Sequence, residues 1–460
     1  MNNSNAKFEK MTTQPVEKLV TSLAIPTIIS MLITTFYNLV DTKFIGGLGI
    51  SYATAAVGIV YSLMNIIQAV GFFCGHGSGN YISRALGEQK INEAERMAST
   101  GFFVSILLGI FLCITGQIFA EPIAVALGAK DSITLKYTLD YMRIILIGAP
   151  FMTSQIVMNN QLRFQGNATF AMFGIASGGI INIGLDALFI EVFELEVLGA
   201  ALATVGGQII SFIVLLIGVI KSDNIKIKIK NFTPNLKFLS EITRGGAPSL
   251  FRQCMGSLST SILNNVAFDL GAEQAQAAMG IVARITMFIS SAMIGFGQGF
   301  QPVCGFNYGA GLYKRIRKAF DFCMKVAIVA LTVLAIIGFV FAPHIISFMQ
   351  SGEGQNIENI ISIGTMAIRR QLIFLPLMSF IFLSNMMLQT IGDVYRASFL
   401  AMCRQGLMLI PAIYILSFAF GMEGFLWAQG LADVITFSIA LPITLPVLKK
   451  FKKDKNEIPS

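Results

Sequence analysis

Charge is what this 460-residue chain has least of: Asp, Glu, Lys and Arg make up 13% of it and hydrophobic residues 54%. An ordinary soluble domain carries about 25% charged residues. The composition excludes a water-soluble globular fold and indicates an integral membrane protein. Histidine occurs twice, as His76 and His344. The six cysteines (Cys74, Cys113, Cys254, Cys304, Cys323, Cys403) are scattered through apolar runs without a Cys-x-x-Cys pair. They read as small buried hydrophobes, so neither a disulfide framework nor a structural metal site is implied. Also missing are a Gly-x-x-x-x-Gly-Lys-Ser/Thr loop, HExxH and Gly-x-Ser-x-Gly. With no soluble domain to bind a nucleotide, the chain does not read as an enzyme, calls for no cofactor, and must draw energy from an ion gradient. The first eighteen residues are polar, carry Lys7, Lys10 and Lys18, and lack a small-residue cleavage pattern, so no cleavable signal is expected.

What the chain does have is long apolar runs. Between charged and Gly/Pro breaks they predict twelve transmembrane helices, near 19–45, 52–80, 97–119, 132–160, 168–190, 197–220, 240–267, 275–304, 319–342, 357–389, 396–420 and 423–448. With the N-terminus inside, 24 Lys and Arg fall on the cytoplasmic side, against Lys43, Lys130 and Lys136 outside. That asymmetry places both termini on the cytoplasmic side of a multi-pass membrane protein. It also accounts for the net charge of +8 without a nucleic-acid partner. The domains follow: an N-terminal segment 1–18, a first lobe 19–220, a basic linker 221–237, a second lobe 238–448 and a basic tail 449–460. The linker reads as a solvated run held at an anionic leaflet.

The two lobes are repeats. A shift of 222 pairs Pro26 with Pro248, Leu48-Gly49 with Leu270-Gly271, Gly58-Ile59-Val60 with Gly280-Ile281-Val282, Gly75 with Gly297 and Gly87 with Gly309. In all it makes 13 identities over the 62 positions from 26 to 87. Later the offset becomes 226, pairing Pro150 with Pro376 and Gly166 with Gly392. Each half has an even number of helices, so the copies enter from the same side and are related by a pseudo-two-fold along the membrane normal. The expected fold is therefore an all-α membrane protein of two six-helix lobes flanking a cleft.

Two acids stand out, Asp41 and Asp186, each near the outer end of a span where a charge is costly. Tyr37 and Asn38 precede Asp41 by four and three residues, and Asn182 precedes Asp186 by four, so each acid shares a helix face with polar companions. Thr34 continues the Asp41 row. The repeat supplies a control: Asp41 corresponds to Leu263, Asn38 to Thr260, Tyr37 to Ser259, and Asp186 to Pro411 or Ala412. Only the first lobe carries the acids, which points to ion or proton coupling at Asp41, Asp186, Asn182, Asn38, Tyr37 and Thr34 in preference to a fold-wide structural role. Pro26, which removes one helical hydrogen bond, is the expected hinge.

Other charges read more blandly. Asp140 and Arg143, three apart, are expected to neutralise each other. Asp433 is a candidate partner for a second-lobe arginine, and His76 and His344 are expected at helix ends in structural roles. Pliable thioethers and cations suit a cavity for varied flat cargo; Met31, Met64, Met158, Met255, Met287, Met293, Arg252 and Arg284 are the candidates for it.

Pro26, Asp41-x-x-Phe44-x-Gly46-x-Leu48-Gly49, Ala55-Ala56-x-Gly58 and Gly75-x-Gly77 resemble the opening of multidrug and toxic compound extrusion (MATE) transporters. The repeat, the mid-chain loop and the twelve spans extend that likeness over the whole chain. Asn182-x-x-x-Asp186 with Asp41 is similar to the DinF-like branch, and the overall look is closest to MepA-type bacterial exporters. The resemblance implies a V-shaped bundle and antiport of H+ or Na+ against lipophilic, often cationic dyes and drugs. It also implies that Asp41, Asn182 and Asp186 bind the ion, whether proton or Na+. Gln253 and Gln371 stand where the NorM-like branch has acids, which argues against a second-lobe cation site. A monomer in the lipid bilayer is expected. The nearest alternative is a flippase for a lipid-linked precursor; a membrane-embedded transferase or a receptor is the alternative of another class.

Overall fold

In the computed structural model, residues 3–47, 50–221, 225–349 and 357–452 are described. Leu48-Gly49 of the opening motif, linker residues 222–224 and tail residues 453–460 lie outside them. The first-lobe helices are α1 (Asn3–Thr13), α2 (Val16–Gly47), α3 (Ser51–Gly87), α4 (Ile91–Ile118), α5 (Ala120–Leu127), α6 (Ser132–Phe164), α7 (Ala168–Asp186) and α8 (Glu196–Lys221). The second lobe holds α9 (Leu236–Gly309), α10 (Tyr313–Met349), α11 (Ile357–Ile373), α12 (Leu377–Ile391), α13 (Val394–Met402) and α14 (Leu409–Lys450). A π-helical segment follows α7 at Ala187–Val192, and another joins α13 to α14 at Cys403–Leu407.

Nine helical runs among the described residues are long and apolar enough to cross a membrane, and α11 with α12, bent by 60°, makes a tenth. The two remaining predicted spans are hidden inside longer helices. α9 has 74 residues, ~110 Å if straight, far more than a ~30 Å hydrocarbon core. It is folded back on itself: Ile242 packs on Gly77 and Phe306 on Gly87, both on α3. A Cβ on Gly271 would meet that of Ala275 at 2.6 Å, whereas a regular helix holds such a pair roughly 5–6 Å apart. The chain therefore reverses at Gly271, giving two arms. Likewise Gly421, at φ 58° and ψ −138°, breaks the run through α14; that backbone favours a residue without a Cβ. The total is twelve spans.

The lobes meet through closely apposed small residues arranged by the same two-fold. Ala24 of α2 packs on Gly299 of the second α9 arm, and Gly246 of the first arm packs on Phe73 of α3. Thr27 Oγ1 donates to the Gly295 carbonyl at 2.7 Å, and Thr35 Oγ1 to Ser291 Oγ at 2.8 Å. The start of α2 and the residue that follows α14 lie at one end of the bundle, both against the start of α10: Phe451 stacks on Tyr313 at 5.4 Å, and Glu17 pairs with Lys318 at 3.0 Å. Toward the other end Phe36, Tyr61, Leu258 and Phe268 are exposed. These close contacts between the lobes thus lie toward the end of the bundle that carries Glu17 and Phe451.

Helix α1 docks on the bundle, with Met11 buried and its carbonyl accepting from Asn307 Nδ2 at 3.2 Å. The linker is strapped to α4: Lys228 N donates to Ser99 Oγ and Thr233 N to Thr100 Oγ1, both at 3.1 Å. Its Ile225 is buried while Lys226, Lys228 and Lys230 face solvent. Asp140 and Arg143 form no ion pair; Arg143 is exposed, so nothing compels its neutralisation.

Candidate functional site

The far half of the first lobe holds a cavity lined by α2, α3, α6, α7 and α8. Helical periodicity decides which residues reach it. α2 presents Thr34, Tyr37, Asn38 and Asp41; α7 presents Ile175, Gly178, Gly179 and Asn182; α8 presents Thr204, Gly207, Gln208 and Ser211. Each set follows i, i+3, i+4, i+7, one face of a helix. The glycines let the helices close around the space: a Cβ on Gly178 would meet the Gly207 carbonyl oxygen at 2.6 Å, and one on Gly179 the Tyr37 ring at 2.9 Å.

Asp186 lies one turn beyond Asn182 and is fully buried. It sits within electrostatic reach of Asp41 and of the buried Tyr141, which is hydrogen-bonded to Thr204. The cluster is short of partners: Asp41 Oδ1, both Asp186 oxygens, and Asn182 Oδ1 and Nδ2 are buried with no hydrogen bond among the described residues. A buried polar atom left unpaired costs about 1–3 kcal/mol, more when charged. Four unpaired oxygens on two facing helices are the donor set that a proton or a small hard cation would satisfy. Thr34 is already satisfied, its hydroxyl donating to the Ser30 carbonyl at 2.9 Å.

Of the proposed cargo-contacting residues, Met31 and Met64 line this cavity. Met158 and Met293 are packed in the core, and Met287 and Arg284 are exposed. Met255 lies against Gly406, and Arg252 lines a separate second-lobe cavity. Pro26 is buried inside α2, which continues through it as one helix.

Sequence reasoning missed Gln68, Gln155, Asn159, Asn160 and Gln208, all cavity-lining. Their signal was present as a polar stripe at helical spacing inside otherwise apolar spans. His76 is also misplaced by that reasoning: it sits mid-α3, not at a helix end, buried at the lobe interface. There the buried Arg163 donates to Gln298 Oε1 at 2.5 Å and to Asn160 Oδ1 at 2.6 Å, and its guanidinium lies 3.4 Å from His76 Nε2. Asp433 pairs with Arg404 at 2.9 Å, as expected of it.

Comparison with known proteins converges on one group. The family model described as MatE matches residues 26–188 and 248–415, one block per lobe. The multidrug export protein MepA of Staphylococcus aureus (strain MRSA252) is 27% identical over 454 residues, 98% of each chain. A crystal structure of MATE in complex with MaL6 superposes with a TM-score of 0.91 at 25% identity, covering 96% of this chain and 98% of that one. An outward-facing multidrug resistance MATE family transporter of the MOP superfamily gives 0.90 at 26%, with the same coverage.

Proposed function

Because the chain belongs to the MatE family of multidrug and toxic compound extrusion transporters, we propose that it is a secondary antiporter. It exports lipophilic, often cationic compounds in exchange for H+ or Na+ by alternating access. The observation that carries this reading is the set of unpaired oxygens on Asp41, Asn182 and Asp186 at the first-lobe cavity. A charge there is costly in the bilayer, so binding a proton or cation lowers the cost, and release restores it. Loading from outside changes how α2, α7 and α8 pack around the cavity and displaces cargo; unloading on the other side resets it. The lysine and arginine asymmetry supports placing both termini on the cytoplasmic side of a bacterial inner membrane.

The test is ethidium transport in inverted vesicles, energised by a proton or a sodium gradient in turn. The parent exports dye with one gradient; Asp41→Asn and Asp186→Asn lose gradient-driven export while still binding ethidium. Unchanged export in both variants overturns the coupling role. Loss with one ion only identifies the coupling ion.

A further inference from the structure

The second lobe contains the twin of the first-lobe cavity, with its charge reversed. Its cavity is lined by Arg252, Ile381, Phe382, Asn385, Leu400, Ala401, Arg404 and Gln405. Under the offset of 226, Ile381, Phe382 and Asn385 correspond to Gln155, Ile156 and Asn159 of the first cavity. Arg404 and Gln405 correspond to Gly178 and Gly179, and under the earlier offset of 222 Arg252 corresponds to Ser30.

The structure confirms this register at two points. Asn159 Nδ2 donates to the Ala171 carbonyl at 2.9 Å, and Asn385 Nδ2 to the Ala397 carbonyl at 2.6 Å, twelve residues on in each lobe. Tyr37 packs on Gly179, and its counterpart Ser259 hydrogen-bonds the Gln405 carbonyl. Arg404, Gln405 and Arg252 thus stand where the first lobe has two glycines and a serine, and they leave less free space between the helices. The second cavity carries two guanidinium groups, while the positions of Asp41 and Asp186 are taken by Leu263 and by Pro411 or Ala412.

The two arginines are not equivalent. Arg404 is held by Asp433 and lies over the Phe382 ring, 5.3 Å from its centroid. Arg252 has no acid: its NH1 is buried without a hydrogen-bond partner among the described residues. It also lies within electrostatic reach of the buried Arg163, itself paired only with neutral groups. Two uncompensated cations in a low-dielectric interior attract an anion strongly.

We infer that the second-lobe cavity is a binding site for an oxyanion on a short apolar body, a carboxylate or phosphate held by Arg252 with Gln405 beside it and flanked by Phe382 and Leu400. This inference does not depend on the coupling role of Asp41 and Asp186.

The test uses the full-length protein in phosphatidylcholine nanodiscs, with 4-fluorobenzoate binding followed by fluorine NMR and neutral 4-fluorobenzamide as the control. Fluorobenzoate should bind at least about tenfold tighter than the amide. Arg252→Gln should abolish that preference, and Arg252→Lys should retain part of it. Retained folding is checked by ethidium binding, which reads the other lobe. Repeating the titration in phosphatidylglycerol nanodiscs separates the sources: Arg252-dependent competition identifies a lipid headgroup, and no competition a soluble anion. Equal binding of acid and amide, or a preference that survives Arg252→Gln in a variant that still binds ethidium, overturns the assignment.

Discussion

The Arg163 guanidinium donates to Gln298 Oε1 across the lobe interface at 2.5 Å, with both side chains buried. The repeat gives the pair its meaning, because Gln298 is the counterpart of His76 and Arg163 that of Gln389. On the mirrored side Gln389 Nε2 donates to Ser249 Oγ at 2.8 Å, and that hydroxyl lies 3.2 Å from His76 Nδ1. One polar network, asymmetric in chemistry but two-fold in position, ties the lobes together.

Removing the guanidinium should loosen that tie. Arg163→Met leaves Gln298 Oε1 and Asn160 Oδ1 buried and unpaired, at a cost of about 1–3 kcal/mol each. The thermal midpoint of the purified protein should fall. A cysteine pair placed across the interface at Thr27 and Gly295 should cross-link more slowly than in the parent background. An unchanged midpoint and cross-linking rate would show that the network does not hold the lobes.

The Arg404–Asp433 pair allows a sharper sign. Both partners are buried, so Asp433→Asn alone strands a guanidinium and should cost about 3–5 kcal/mol. Arg404→Met with Asp433→Leu removes both charges and should recover most of that loss. Thermal unfolding of the single and double variants checks the ordering; a double variant worse than the single would contradict it.

The glycines that open the first cavity should not tolerate bulk. Gly178 faces the Gly207 carbonyl, and a Cβ on Gly207 would meet Asn182 Cβ at 2.8 Å. Gly178→Leu should therefore push α7 from α8, displace Asn182, and weaken ethidium binding about tenfold or more. Gly184, whose Cβ would meet nothing within 4 Å, should accept Ala without effect, and equilibrium dye binding to both variants makes the comparison.

Much of this was legible in the sequence because helical repeats leave periodic traces. The 222 shift that pairs Pro26 with Pro248 also separates the starts of the two matched blocks, and the Asp41 and Asn182 rows fall on the cavity as helix faces. What was hidden depends on contacts between elements distant in sequence. Nothing local distinguishes Met158, packed in the core, from Met64, on the cavity. His76 looked incidental because its partners Arg163 and Ser249 are 87 and 173 residues away. The reversal at Gly271 inside α9, by contrast, falls between the predicted spans 240–267 and 275–304, where Asp269, Gly271 and Glu273 interrupt the apolar run.

The docked α1 gives a pH-dependent prediction outside the membrane-spanning helices. Burial, helped by Lys10, lowers the Lys7 ammonium from its ordinary value of 10.5 to about 8. Its Cε lies beside the left-handed turn at Gly166, φ +79°, where a Cβ would approach it to 3.5 Å. The unfolded chain keeps this proton up to about pH 10.5 and the folded one releases it near 8, so between those values the unfolded state binds more protons and stability rises with pH. Below about 8 both states are protonated and the full cost of burying the charge is present. Lys7→Met carries no such cost, so it should be more stable than the parent at pH 7, and the gap should narrow as pH rises from about 8 toward 10.5. Thermal midpoints of parent and variant across that range measure it; a gap that stays constant or widens would mean that Lys7 keeps its proton when α1 docks.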